Sequence, residues 1–300
     1  MEVIMAAKEM KIREHNFFDK HTIIGAVVLF LAGLIVTQGI GATIFSMVFG
    51  IIFSGDLRMS SVGAEIGAIF ASFPLLCLFW RHFYPEYEGG LRGGVKLSVW
   101  IPVGIGISVL FSCIGFLVNA LTVKSPVGIP GIVNIFAAIM AGVYEEAIFR
   151  GMVASYLMRQ WRDVKEKKLI TVVMFSSVIF GAVHMMNALQ GQDIFFTVIQ
   201  SINAFAMGCM FCAFFLRSGS LIPGMLMHGL YDFLQFMFIS QMNEGGTANA
   251  SVHLAATDIL SLVIMDVVCI AITLFLIRPA VREDISAIWD KKWKKKALPA

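Results

Sequence analysis

The chain has 300 residues, of which 58% are hydrophobic and 14% charged, with a mean hydropathy of +0.82 and a formal net charge of +3. A soluble domain carries roughly 25% charged residues, so this composition excludes a water-soluble globular protein and indicates an all-α polytopic transmembrane helix bundle. The five cysteines (Cys77, Cys113, Cys209, Cys212, Cys269) all fall in apolar segments and read as buried small hydrophobes, not as a metal or redox site.

Residues 1–22 form a polar segment without an apolar core and small-residue cleavage site, so the first membrane helix is expected to serve as the targeting signal. Residues 23–130 then read as the N-terminal membrane helices. The apolar run Ile23 to Phe53 exceeds the roughly 20 residues that one crossing needs, which predicts a long tilted helix or one broken near Gly39 and Gly41. Ser61 to Trp80 makes a second span, with Pro74 as a candidate kink and Glu65 near its start. A Gly-rich aromatic loop leads to a third, Leu97 to Leu121.

Residues 131–243 carry the polar chemistry. The fourth span is Ile132 to Leu157, the fifth Leu169 to Asn187, the sixth Ile194 to Leu216 and the seventh Leu221 to Gln241. Residues 244–300 hold the eighth span, Ile259 to Ile277, and a basic tail. Lysine and arginine are retained on the cytoplasmic side of a membrane. With eight spans, only Arg58 and Lys124 lie on one side, Arg150 lies within a span, and every other lysine and arginine lies on the opposite side. Both termini are therefore expected in the cytoplasm. The tail Lys291 to Lys296 reads as a contact with anionic lipid, and the absence of a basic domain argues against a nucleic-acid partner. The compact chain and basic tail point to a multi-pass protein of a bacterial plasma membrane.

Within the fourth span, Tyr144-Glu145-Glu146-Ala147-Ile148-Phe149-Arg150-Gly151 places two carboxylates and a guanidinium where each charge costs about 2.5 to 3.5 kcal/mol on insertion scales. On an α-helix Glu146 and Arg150 are i and i+4, with the acid on the favourable N-terminal side. Glu145 lies about 100° round the helix and lacks a local cation. Phe180 and His184 are i and i+4 in the fifth span, with Asn187 a turn later, and His228 and Asp232 are i and i+4 in the seventh.

At 1.5 Å per residue from the nearest basic residue on the cytoplasmic side, Glu145 lies roughly 21 Å in, His184 roughly 24 Å, His228 roughly 16 Å and Asp232 roughly 22 Å. Three helices would thus present their polar groups at a similar level, expected in the cytoplasmic-to-central part of the membrane. A carboxylate and an imidazole beside one water remove its proton as it attacks a carbonyl, and a second imidazole steadies the oxyanion. This chemistry needs neither serine nor cysteine, and no cofactor.

Other chemistries fit less well. There is no HExxH, although two histidines and a glutamate form a ligand set that zinc accepts. Neither a GxSG nor a GxGD pattern is present. A transporter also buries charge near the midplane, and Asp266 and Asn203 would suit one, but no internal repeat is visible. A non-enzymatic membrane regulator or scaffold would use the same groups to hold helices together.

The ordered set Glu145-Glu146-x-x-x-Arg150, Phe180-x-x-x-His184 and His228-x-x-x-Asp232 resembles the three motifs of the CPBP family, the CAAX prenyl endopeptidases and bacteriocin-processing enzymes also called Abi. The likeness covers about Ile132 to Gln241. It implies a metal-independent intramembrane glutamic endopeptidase, open to the cytoplasmic side, that acts on peptides or membrane-tethered proteins, including prenylated or leader-peptide substrates. By position it implies that Glu145 and His184 activate water, that His228 and residue 232 stabilise the oxyanion, and that Glu146 and Arg150 organise the site. Residue 232 is often asparagine in that family and is aspartate here. An ionised aspartate accepts hydrogen bonds and does not donate to an oxyanion, so Asp232 would act protonated or would orient His228.

Overall fold

The computed structural model describes residues 17–85, 87–91, 97–121, 127–161, 166–239 and 256–293. Among them the regular structure is all helical, with one isolated antiparallel bridge between Tyr87 and Trp293. The helices are α1 (Thr22–Ile52), α2 (Leu57–Phe83), α3 (Leu97–Leu121), α4 (Ile132–Trp161), α5 (Glu166–His184), α6 (Ile194–Ser218), α7 (Leu221–Ile239), α8 (Ala256–Leu276) and α9 (Arg282–Lys292). Seven of the helices are long and apolar enough to cross a membrane, one fewer than the sequence count. The exception is α7, because His228, Asp232 and Gln235 lower its hydropathy. The polar groups that make it interesting are the ones that hide it.

The long first stretch does not break at its glycines. It runs on through a π-helical segment, Ile35–Ala42, which contains Gly39 and Gly41. A side chain at Gly41 would collide with the Gly67 backbone of α2, so the absence of Cβ atoms lets the two helices touch. Pro74 is accommodated inside α2 without interrupting it.

Where the surroundings are lipid, apolar burial drives helix association weakly, and hydrogen bonds between helices matter more. The bundle has several. Ser108 Oγ donates to Met227 O (2.7 Å), joining α3 to α7; Ser176 Oγ donates to Phe149 O (3.1 Å), joining α5 to α4; Ser201 Oγ donates to Gly181 O (2.7 Å), joining α6 to α5. Asn203 Nδ2 donates to Asp266 Oδ1 (2.7 Å), joining α6 to α8. The two polar residues that suited a transporter are thus each other's partner. Outward-facing Ile, Leu, Val and Phe, such as Ile51, Leu117 and Leu274, form the apolar surface expected in lipid. Cys77 and Cys113 are exposed as well, whereas Cys209, Cys212 and Cys269 are buried as expected; an unpaired thiol is apolar enough for either place.

The last segment departs from its sequence reading. It forms the amphipathic helix α9, which closes one end of the bundle with Trp289 and Trp293 fully buried. Tyr87 from the α2–α3 loop stacks on Trp293 with centroids 4.3 Å apart, and its hydroxyl lies 2.8 Å from Ser155 Oγ. Burial pushes that phenol's pKa up. Lys292 is 2% exposed and its Nζ donates to Gly89 O at 2.8 Å. This residue therefore belongs to the closure and not to a lipid-facing tail. Lys294, Lys295 and Lys296 lie outside the described residues.

Candidate active site

The site starts from helix geometry. The residues Ala141–Glu145 and Ala147–Ala154 of α4 are π-helical, with a wider turn than the regular helix expected from sequence. Such segments occur often at functional positions because they re-aim side chains. Close approach does the rest. Gly142 lies against α7, where a Cβ would come within 2.9 Å of Gly229 N, so α4 and α7 pack backbone to backbone next to the two glutamates.

Glu146 and Arg150 form the expected pair, with Arg150 Nη1 donating to Glu146 Oε1 at 3.0 Å and both side chains at most 1% exposed. Arg150 Nη2 donates to Gly208 O at 2.9 Å, tying the pair to α6. The guanidinium also lies over the rings of Phe180 (4.7 Å) and Phe211 (5.5 Å), which adds cation–π attraction in a dry setting. His228 Nδ1 donates to the same Glu146 Oε1 at 3.1 Å, and its ring stacks on Phe211 at 4.6 Å and meets the Phe180 edge at 5.7 Å. Phe180, which the sequence showed only as a motif position, is a platform shared by Arg150, His184 and His228.

Glu145 is different. Its side chain is 19% exposed, and Oε2 stands 3.7 Å from His228 Nε2, beyond a direct hydrogen bond. Asp232 Oδ2 stands 3.5 Å from the same nitrogen. His184 Nδ1 lies 2.9 Å from Phe180 O; a carbonyl only accepts, so Nδ1 carries the proton and Nε2 is the lone-pair nitrogen of the neutral ring. Glu145, His184, His228 and Asp232 all line one cavity of about 260 Å³. The structure therefore brings four of the six expected residues to the cavity and sets Glu146 and Arg150 behind it. Asn187 is elsewhere, donating to Gln200 Oε1 at 3.0 Å.

The sequence reading missed the aromatic frame, the Gly142 contact and the wall beyond the acids, which includes Gln200, Met207, Gln235 and Phe236; Asn203, named there only as suiting a transporter, lines the same wall. Gln200, a second polar residue beside Asn203 in a membrane helix, is a signal that could have placed α6 at the site. Glu65 of α2 is within electrostatic reach of Glu145, a fourth carboxyl group near the site. Among the described residues no group of three or more His, Cys, Asp or Glu side chains is placed to hold a metal ion.

Residues 128–234 match the Rce1-like family, described as type II CAAX prenyl endopeptidase Rce1-like. No curated protein and no solved structure matches the chain. The matched segment contains all six polar residues and stops just past Asp232 in α7. Over that segment, the core of this multi-pass integral membrane protein is similar to the Rce1-like type II CAAX prenyl endopeptidases.

Proposed function

We propose that the chain is an intramembrane endopeptidase that hydrolyses peptide bonds of membrane-associated substrates, prenylated or leader-peptide segments among them, by glutamate-activated water without a metal. One observation carries this reading. Of two adjacent glutamates, buried Glu146 is consumed by Arg150 and His228, while the partly exposed Glu145 has no bond of that kind and faces a cavity shared with two imidazoles.

Glu145 would take a proton from a water that His184 Nε2 holds by accepting its other hydrogen. The water oxygen bonds to the carbonyl carbon, and the carbonyl π pair moves onto oxygen. His228 in its imidazolium form donates through Nε2 to that oxyanion, and Asp232 in its carboxylic acid form supplies a second donor. The C–N bond then breaks, and the proton held by Glu145 passes to the leaving nitrogen, so the sum is addition of one water. Two carboxylates opposite Arg150 and one imidazolium leave this cluster without net charge, which suits a site in lipid.

The competing reading is a non-enzymatic membrane regulator in which the cluster only holds helices together. The Glu146–Arg150 pair would serve that purpose. Glu145, which is partly exposed and lacks a direct bond, would not. The test is the full chain in proteoliposomes with prenylated and unprenylated membrane-tethered peptides. Glu145→Gln is expected to abolish cleavage at unchanged accumulation and thermal stability, and cleavage is expected to resist chelators. Full activity in Glu145→Gln would remove the proposal.

A further inference from the structure

The cavity wall on α6 carries two side-chain amides, Gln200 and Asn203, that the proposed chemistry does not use. They are i and i+3, so they share one face of the helix about 4.5 Å apart along its axis. Each is held from behind by one of its two polar atoms. Asn203 Nδ2 donates to Asp266 Oδ1 of α8 at 2.7 Å; an ionised carboxylate only accepts, so the amide nitrogen faces α8 and Oδ1 is left for the cavity. Gln200 is turned the opposite way. Its Oε1 accepts from Asn187 Nδ2 at 3.0 Å and from Gln192 Nε2 at 2.7 Å, which leaves Nε2 as the atom without a partner among the described residues.

Local turns build this arrangement. After α5, residues Met185–Gln190 form a 3-10 helix and Gly191 takes φ +94°, which returns the chain so that Asn187 and Gln192 both reach Gln200. Ser201 Oγ donates to Gly181 O at 2.7 Å, and a Cβ on Gly181 would lie 2.8 Å from Ser201 O, so α5 and α6 touch beside Gln200. Helix α8 supplies Asp266 and also draws off the hydroxyl of Tyr231, another wall residue, which donates to Met265 Sδ at 3.5 Å. The α6 wall thus shows one donor and one acceptor in fixed orientation, and neither is charged.

A peptide segment unwound for hydrolysis at membrane depth leaves amide groups unpaired, and each unpaired N–H or C=O is costly there. An extended strand shows N–H and C=O groups along one edge, which a matching acceptor and donor can pair. Resting on the peptidase reading, we infer that Gln200 Nε2 and Asn203 Oδ1 form a backbone subsite, in which Gln200 donates to a carbonyl and Asn203 accepts from an N–H of an extended substrate beside the scissile bond. Asp266 is a positioning residue that acts through Asn203. The subsite holds main chain and not side chains, and it adds no charge to the neutral catalytic cluster.

Binding is measured apart from cleavage, in the full-length Glu145→Gln protein in nanodiscs, with a fluorescein-labelled farnesylated peptide of alanine and valine. Each amide of the peptide is replaced in turn by an ester, which removes the N–H and weakens the carbonyl. One ester is expected to raise Kd about 3- to 10-fold through loss of the N–H to Asn203, the scale of one hydrogen bond. With Asp266→Leu added, that ester and the parent peptide should bind alike, both at the weakened Kd. Asp266→Asn, whose Oδ1 still accepts from Asn203, should restore the difference. With Glu145 intact, Gln200→Met and Asp266→Leu should each raise KM by about the same factor with kcat within about twofold, a split that general loss of packing does not produce. Ester penalties that are absent at every position, or equal with and without Asp266→Leu, would overturn the inference even where cleavage is normal. So would a fall in kcat at unchanged KM, or absence of saturable binding of the parent peptide. The expected ester discrimination with no cleavage by the wild type counts against the peptidase reading alone and leaves a polypeptide-binding subsite standing.

Discussion

Glu146 and His228, 82 positions apart in the chain, meet at 3.1 Å between Oε1 and Nδ1, and the same oxygen receives Arg150 at 3.0 Å. One carboxylate therefore fixes a helix, a guanidinium and an imidazole at once. It sets which face of the His228 ring points at Glu145 and Asp232.

Removing one partner of this pair should destabilise the protein more than it affects any single chemical step. Glu146→Gln or Arg150→Met leaves an uncompensated buried group and is expected to cost about 3 to 5 kcal/mol, read as reduced accumulation and a lower Tm in detergent. The double variant Glu146→Gln/Arg150→Met should recover part of that loss, because no lone charge remains.

Asp232 tests the oxyanion assignment. Asp232→Asn keeps a donor at this position and is expected to retain cleavage within about tenfold, whereas Asp232→Leu should lose about 10²-fold or more in kcat. An acid-form donor is lost when Asp232 ionises, so as pH rises the wild type should lose more of its rate than Asp232→Asn, whose amide does not titrate and which shares only the loss of the His228 imidazolium. A pH–rate profile of both proteins in proteoliposomes checks this.

Gly142 tests the approach of α4 to α7. A Cβ there would meet the α7 backbone, 2.9 Å from Gly229 N, and backbone does not yield as a flexible side chain does. Gly142→Ala should move Glu145 away from His228 and reduce cleavage about 10²-fold, the scale of a 1 Å misplacement. Gly229→Ala, whose Cβ would meet Ala138 O at 3.1 Å, should be milder.

Lys292 tests the α9 closure. Burial pushes its pKa down from 10.5 to about 8, so between those values the docked helix binds fewer protons than the undocked one. Docking should strengthen as pH rises through that window and be weakest below it. Acrylamide quenching of tryptophan fluorescence should therefore decrease from pH 8 to pH 10.5, and Lys292→Met should flatten the response.

Much of this was legible without coordinates. Hydropathy runs and loop charges indicated a helical membrane protein, and the spacing of Glu145, Glu146, Arg150, His184, His228 and Asp232 picked out the polar groups that gather at or behind its cavity. The reason is local: lipid demands long apolar helices, and each ionisable residue inside one stands out against that background. What required the fold was everything depending on contact between distant segments. The π-helical turns of α4, the Phe180 and Phe211 frame, the Gly142 approach and the burial of Lys292 all follow from packing. Sequence spacing carries no information about which neighbour a helix face will meet.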